Sequence, residues 1–119
     1  MAIAFQLTPG QPITVTAVST QPLSEAVDVS EFDILDLMSS VAAMTASTVT
    51  IKVITGMQKQ SEDGWVEAVA FTAATVVGSE LKTKTNGFLR YIRWTVTAIS
   101  GGSATFYIRG MGRSYCRHG

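Results

Sequence analysis

The sequence is short of most groups that carry chemistry. It has one cysteine, Cys116, and one histidine, His118, in 119 residues. A single cysteine excludes an intrachain disulfide. Cys116 and His118 stand two apart near the end of the sequence, and no further Cys or His exists to complete a zinc site. Charged residues make up 15%, against roughly 25% in an average domain. Residues 1–51 contain no Lys or Arg, and residues 81–119 contain no carboxylate. No apolar run approaches the roughly 18 residues that a membrane-spanning helix needs, so no membrane segment is expected. No positively charged leader precedes the apolar start, which Pro9-Gly10 cuts short. A protein made in the cytoplasm, without a recognisable export signal, is therefore expected.

What is present favours strands. Fifteen threonines accompany a 46% hydrophobic content, a mixture that suits pleated, half-buried surfaces. The length suits one domain. Alternating apolar patterns predict strands over residues 3–7, 13–18, 48–55, 65–71, 81–85, 88–98 and 104–109, with a weaker candidate at 26–29. Asn86-Gly87 lies between two extended runs and predicts a type I′ hairpin turn, because both residues tolerate positive φ. Residues 31–44 read two ways. Ile34, Leu37, Met38 and Val41 fall on a helical stripe, and the same stretch also fits an extended strand.

An approximate internal repeat favours the strand. Phe-Asp-Ile-Leu-Asp-Leu from Phe32 aligns with Leu-Arg-Tyr-Ile-Arg-Trp from Leu89, and Thr48-Val-Thr-Ile-Lys aligns with Thr105-Phe-Tyr-Ile-Arg. Each copy reads as a β-hairpin. Charges invert across the alignment: Asp33 matches Arg90, and Asp36 matches Arg93. Only Thr48/Thr105 and Ile51/Ile108 are identical across the main stretch, so the repeat is slender as a sign of duplication. Like-shaped units of opposite charge point to sheet pairing, within one subunit or between subunits.

The expected architecture is all-β, an antiparallel β-sandwich of jelly-roll-like or Ig-like type with about eight or nine strands. Residues 1–109 form its single domain, and residues 110–119 form a basic C-terminal tail. Phe88, Ile92, Trp94, Val96 and Ala98 share one face of their strand, and Ala104, Phe106 and Ile108 share one face of the next. Trp94 is therefore expected in the core. Asp33 and Arg90 fall on the apolar parity and belong near a sheet rim. Asp36 and Arg93 fall on the other parity and are expected at exposed or subunit-facing positions.

No catalytic constellation emerges. Asp33 and Asp36 are three apart and point to opposite faces of a strand, so they do not form a convergent acid pair. The glycines at 101, 102, 110 and 112 match no phosphate-binding pattern and read as a turn and a strand exit. No enzyme activity, cofactor, metal or nucleic-acid partner is expected. The Lys and Arg residues are dispersed rather than clustered. Tyr91 and Tyr107, with Arg93 and Arg109 beside them, read as an outward Tyr/Arg strip on neighbouring strands, a composition favoured at interface hot spots. With Asp36, Arg113 and Tyr115, they are the candidate interface residues. A sparsely charged, apolar chain also suits a permanent interface, and a homo-oligomer is expected.

Asp28-Val-Ser-Glu-Phe-Asp-Ile-Leu-Asp-Leu, Gly56-Met-Gln, Glu62-Asp-Gly-Trp65, Leu89-Arg-Tyr-Ile-Arg-Trp94 and the closing Ala104-Thr-Phe-Tyr-Ile-Arg-Gly-Met-Gly-Arg113 resemble small all-β structural proteins of tailed bacteriophages. The resemblance spans about residues 26–113. It implies a non-enzymatic virion component, such as a capsid decoration (cement) protein or a head–tail part. Such a component is assembled in the host bacterial cytoplasm and binds identical neighbours and the major capsid protein or another virion protein. A carbohydrate-binding module, with Trp65 and Tyr91 as stacking platforms, is the alternative.

Overall fold

The structure, a computed structural model, describes residues 2–8 and 11–114, which form ten strands and one short 3-10 turn. The strands are β1 (Ala2–Gln6), β2 (Ile13–Val15), β3 (Ser19–Thr20), β4 (Val27–Asp28), β5 (Ile34–Met44), β6 (Thr48–Gly56), β7 (Val66–Ala70), β8 (Gly78–Thr85), β9 (Tyr91–Ser100) and β10 (Ala104–Arg113). They form two antiparallel sheets that pack face to face. The front sheet runs β1-β10-β5-β8, with β2 also on β10; the back sheet runs β3-β9-β6-β7, with β4 also on β9. The expected all-β sandwich is present. Its ten strands exceed the expected eight or nine because two edge segments are only two residues long.

Residues 31–44 resolve as strand from Ile34 onward. Leu35 and Leu37 are buried between the sheets. Trp94 lies in the core as expected and meets Phe106 edge-on across the sandwich, at 5.2 Å between ring centroids and 85° between planes. Ile92, Val96, Ala104 and Ile108 complete this layer. Ala98 departs from the expected pattern and is exposed, because a β-bulge next to Thr97 shifts the register of β9.

The hairpins of the repeat need correcting. β5 lies in the front sheet and β6 in the back sheet, and β9 lies in the back sheet and β10 in the front. Each copy is therefore an arch that steps from one sheet to the other. The two arches interlock, since β5 pairs with β10 and β6 pairs with β9. Their registers agree under the sequence offset. Ile54↔Arg93, Val53↔Trp94 and Lys52↔Thr95 in the back sheet correspond to Met111↔Asp36, Gly110↔Leu37 and Arg109↔Met38 in the front. The edges follow the same relation, with Val27↔Ile92 matching Lys84↔Leu35. An approximate two-fold axis thus runs through the sandwich.

Asn86 and Gly87 do adopt positive φ, 58° and 69°. They do not close a hairpin, because β8 and β9 belong to different sheets. The Asn86 amide donates instead to the Asp33 carbonyl. The last strand also passes its expected end at Arg109 and continues to Arg113, paired on both sides. Residues 110–113 of the expected tail are therefore strand. Gly110 and Gly112 are not a strand exit: the rings of Phe5 and Phe32 lie where their side chains would be. The two rings stack with centroids 6.3 Å apart.

Candidate interaction surface

The exposed face of the front sheet gathers four of the expected interface residues. Side chains in register on adjacent antiparallel strands point to the same side. Arg109, Met38 and Leu81 therefore form one row across β10, β5 and β8, and Met111, Asp36 and Thr83 form the next. Tyr107 lies one row away with Ser40 and Ser79. The rows enclose a shallow, open depression of about 640 Å³ lined by Ala4, Asp36, Met38, Leu81, Arg109 and Met111, with Arg113 at its end. Leu81 is 65% exposed. Arg113 Nε lies 2.9 Å from Asp36 Oδ2, and Thr83 Oγ1 donates to Asp36 Oδ1 at 2.7 Å. The Arg109 guanidinium lies 4.6 Å from the centre of the Tyr107 ring. Aliphatic and thioether groups thus share this face with two guanidinium groups.

The expected Tyr/Arg strip is divided. Tyr91 and Arg93 lie on the back sheet, away from Tyr107 and Arg109, because β9 and β10 are in different sheets. Arg93 does not take the exposed position expected of it. It points away from the core as its parity requires, yet it is only 1% exposed. Residues 57–65 fold over it. Arg93 Nη2 reaches Glu62 Oε1 at 2.6 Å, Nη1 donates to the Gln21 carbonyl at 2.8 Å, and the guanidinium stacks 4.2 Å from the Trp65 ring centre. Hydrogen bonds from Arg93, with its positive charge, hold the Glu62 carboxyl below the usual glutamate range. Trp65 rests on Gly56, where a Cβ would strike the indole. Gln21 lies on the far side: its side-chain Nε2 donates to the Leu7 carbonyl, and its side-chain oxygen accepts from the Trp94 backbone amide. Sequence reasoning missed this arrangement, and the only sequence signal for it was Gly56 ahead of a polar loop ending in Trp65.

Tyr91 has Arg90 at 5.1 Å and Lys59 at 5.8 Å from its ring centre. Arg90 sits at the rim as expected and pairs with Asp28 at 3.3 Å. The Ser30 hydroxyl and amide, followed by Arg90, hold Asp28 below the ordinary aspartate range. Tyr115, Cys116 and His118 lie outside the described residues. Among the described residues, no group of three His, Cys, Asp or Glu side chains could hold a metal ion, and no helix is long and apolar enough to cross a membrane.

The two-fold relation exposes a difference between the ends of the core. At one end the Leu7 amide bonds the Ile108 carbonyl, and Val15 packs inward beside Ala104. At the other the Phe71 amide makes the equivalent bond to Ile51, but the chain pairs only at Val49↔Ala74 before leaving. A cavity of about 340 Å³ remains there, floored by Val41, Val49, Ile51 and Phe71 and rimmed by residues 72–80.

No protein-family model matches the sequence, and no curated protein matches it. Among solved structures, the chain is similar to the crystal structure of the SPBc2 prophage-derived protein YomS. The two share 18% identity over 94% of this chain and 92% of that one, with a TM-score of 0.52. At that identity the likeness concerns the fold.

Proposed function

We propose that this chain is a non-enzymatic structural protein of a tailed phage, one that self-associates and binds a capsid, as a decoration or cement protein, or a head–tail assembly. The observation that carries the reading is the exposed front face. Met38 and Leu81 extend beside Arg109 across the antiparallel sheet, and Met111 lies between Arg109 and Arg113. Apolar and arginine-rich surfaces of this kind suit protein contacts better than small-molecule capture. The sequence resemblance to phage structural proteins and the fold shared with a prophage-derived protein support the same reading. The partners in this proposal are further copies of the chain and the major capsid protein or another virion protein, and its place is the virion.

Mass spectrometry of gradient-purified particles tests the proposal. The chain is expected in fixed proportion to the major capsid protein, and Met111→Glu is expected to remove it from particles while the fold persists. Particles that lack the wild-type chain would overturn the reading. Glycan binding gains no support, because each of its two platforms already faces a cation: Trp65 faces Arg93, and Tyr91 faces Arg90 and Lys59.

A further inference from the structure

The outer edge of the front sheet is an eight-residue strand, β8, that among the described residues pairs on one side only, with β5. Edge strands of this length offer a row of backbone donors and acceptors to any passing strand, and proteins usually cover or disrupt them. Here the edge is long, and exposed aliphatic side chains gather along it. Leu81 stands on its outward face, and Val76 and Val77 lead into it. Lys82 and Lys84 fall on the opposite parity, the side toward the back sheet, together with Glu80. Lysines on that side repel most incoming strands.

One partner answers that charge pattern, which is a second copy of β8 running antiparallel. Centred on Leu81, the pairing sets Leu81 against the partner's Leu81, Ser79 against the partner's Thr83, and Gly78 against the partner's Lys84. It also places Glu80 opposite the partner's Lys82, twice by symmetry. Opposite charges directly across a strand pair stabilise it, and like charges destabilise it. Centring on Lys82 instead would set Glu80 against the partner's Lys84 but oppose two lysines at its centre, and centring on Glu80 would oppose two carboxylates. Parallel in-register pairing would also juxtapose like charges. Registers centred between residues would set the outward side chains of one copy against the inward side chains of the other. Glu80 accepts from the Thr72 amide and hydroxyl at 2.7 Å each and lies 4.0 Å from Lys82 of its own chain, so the pairing would exchange this contact for one with the partner's Lys82.

We propose that β8 is a homodimerisation edge, in which two copies join antiparallel about Leu81 with reciprocal Glu80–Lys82 pairs and the two front sheets become one continuous sheet. The inference rests on the self-association proposed above and names the strand that performs it. An isologous contact of this kind closes on itself. It leaves the Met38–Met111 face of each copy on the same side, open to a capsid partner.

Two substitutions of identical charge change separate the register from general electrostatics. Lys82→Glu sets a carboxylate against the partner's Glu80 and is expected to weaken self-association about tenfold in sedimentation equilibrium. Lys84→Glu faces Gly78 and is expected to leave it within about twofold. In a Cys116→Ser background, Leu81→Cys is expected to form a disulfide-linked dimer under mild oxidation, whereas Thr85→Cys is not. A protein that self-associates but shows no Leu81→Cys cross-link, or responds alike to both lysine changes, would overturn the β8 edge and leave self-association standing. A wild-type chain that stays monomeric at high concentration would overturn both.

Discussion

Arg93 shows what a single residue can hide from a parity count. Its position on β9 points it away from the core, and alternation alone places it in water. The structure buries it because a loop distant in sequence brings Glu62 and Trp65 over it. Among the described residues its Nε has no hydrogen-bond partner, and the two terminal nitrogens bond Glu62 and the Gln21 carbonyl. Glu62→Gln is expected to loosen residues 57–65, seen as a red-shifted Trp65 emission and faster amide exchange in the loop, with Trp94 unchanged. Acid should do the same to the wild type. The folded Glu62 carboxyl titrates below its unfolded value, so its contribution is complete above the ordinary glutamate range. It is lost as pH falls through that lowered value, on the acid side of the ordinary glutamate range. Opening that begins near neutral pH would contradict this assignment.

At the scale of the element, β10 explains why glycine can be required inside a strand. Gly110 and Gly112 cost pairing strength, since glycine in a strand has no side chain to pack. In exchange, Phe5 and Phe32 lie flat on the sheet at its far end. Gly112→Ala drives a methyl group into the Phe32 ring and is expected to destabilise the protein by about 1–3 kcal/mol, read from the urea midpoint. Combining it with Phe32→Ala should cost less than the sum of the two single changes. Strand positions such as 48–55 and 104–109 were legible in the sequence because alternation is a local signal. The path between strands was not. Asn86-Gly87 carries the dihedrals of a tight hairpin, yet it hands the chain from one sheet to the other. Turn chemistry specifies local angles, and the packing of the two sheets decides which strand comes next.

For the whole molecule, the interlocked arches mean that both central strand pairs join distant parts of the chain: β5 with β10, and β6 with β9. Such non-local pairing must close long loops before it gains contacts. Stopped-flow refolding is therefore expected in the millisecond-to-second range typical of all-β sandwiches, and microsecond folding would contradict the topology. The repeat that was slender as sequence proves regular as structure, because Ile54↔Arg93 and Met111↔Asp36 occupy equivalent rungs although their side chains are unrelated. Backbone register was preserved by parity alone, which identity between residues does not measure. The candidate surface was half legible. Asp36, Tyr107, Arg109 and Arg113 share a face because three of them lie on one strand and Asp36 is on its neighbour. Tyr91 and Arg93 separated from them because sheet assignment is set by the arch and not by adjacency in sequence.

The pairing of β1 with β10 has a mechanical meaning. Ala2 stands opposite Arg113, and the two strands run in opposite directions from there. The chain therefore enters and leaves the front sheet at the same end. A tether attached before Ala2 and another after Ser114 would emerge side by side. Tension between them would open the β1–β10 ladder one rung at a time, as a zip, without loading all of its hydrogen bonds together in shear.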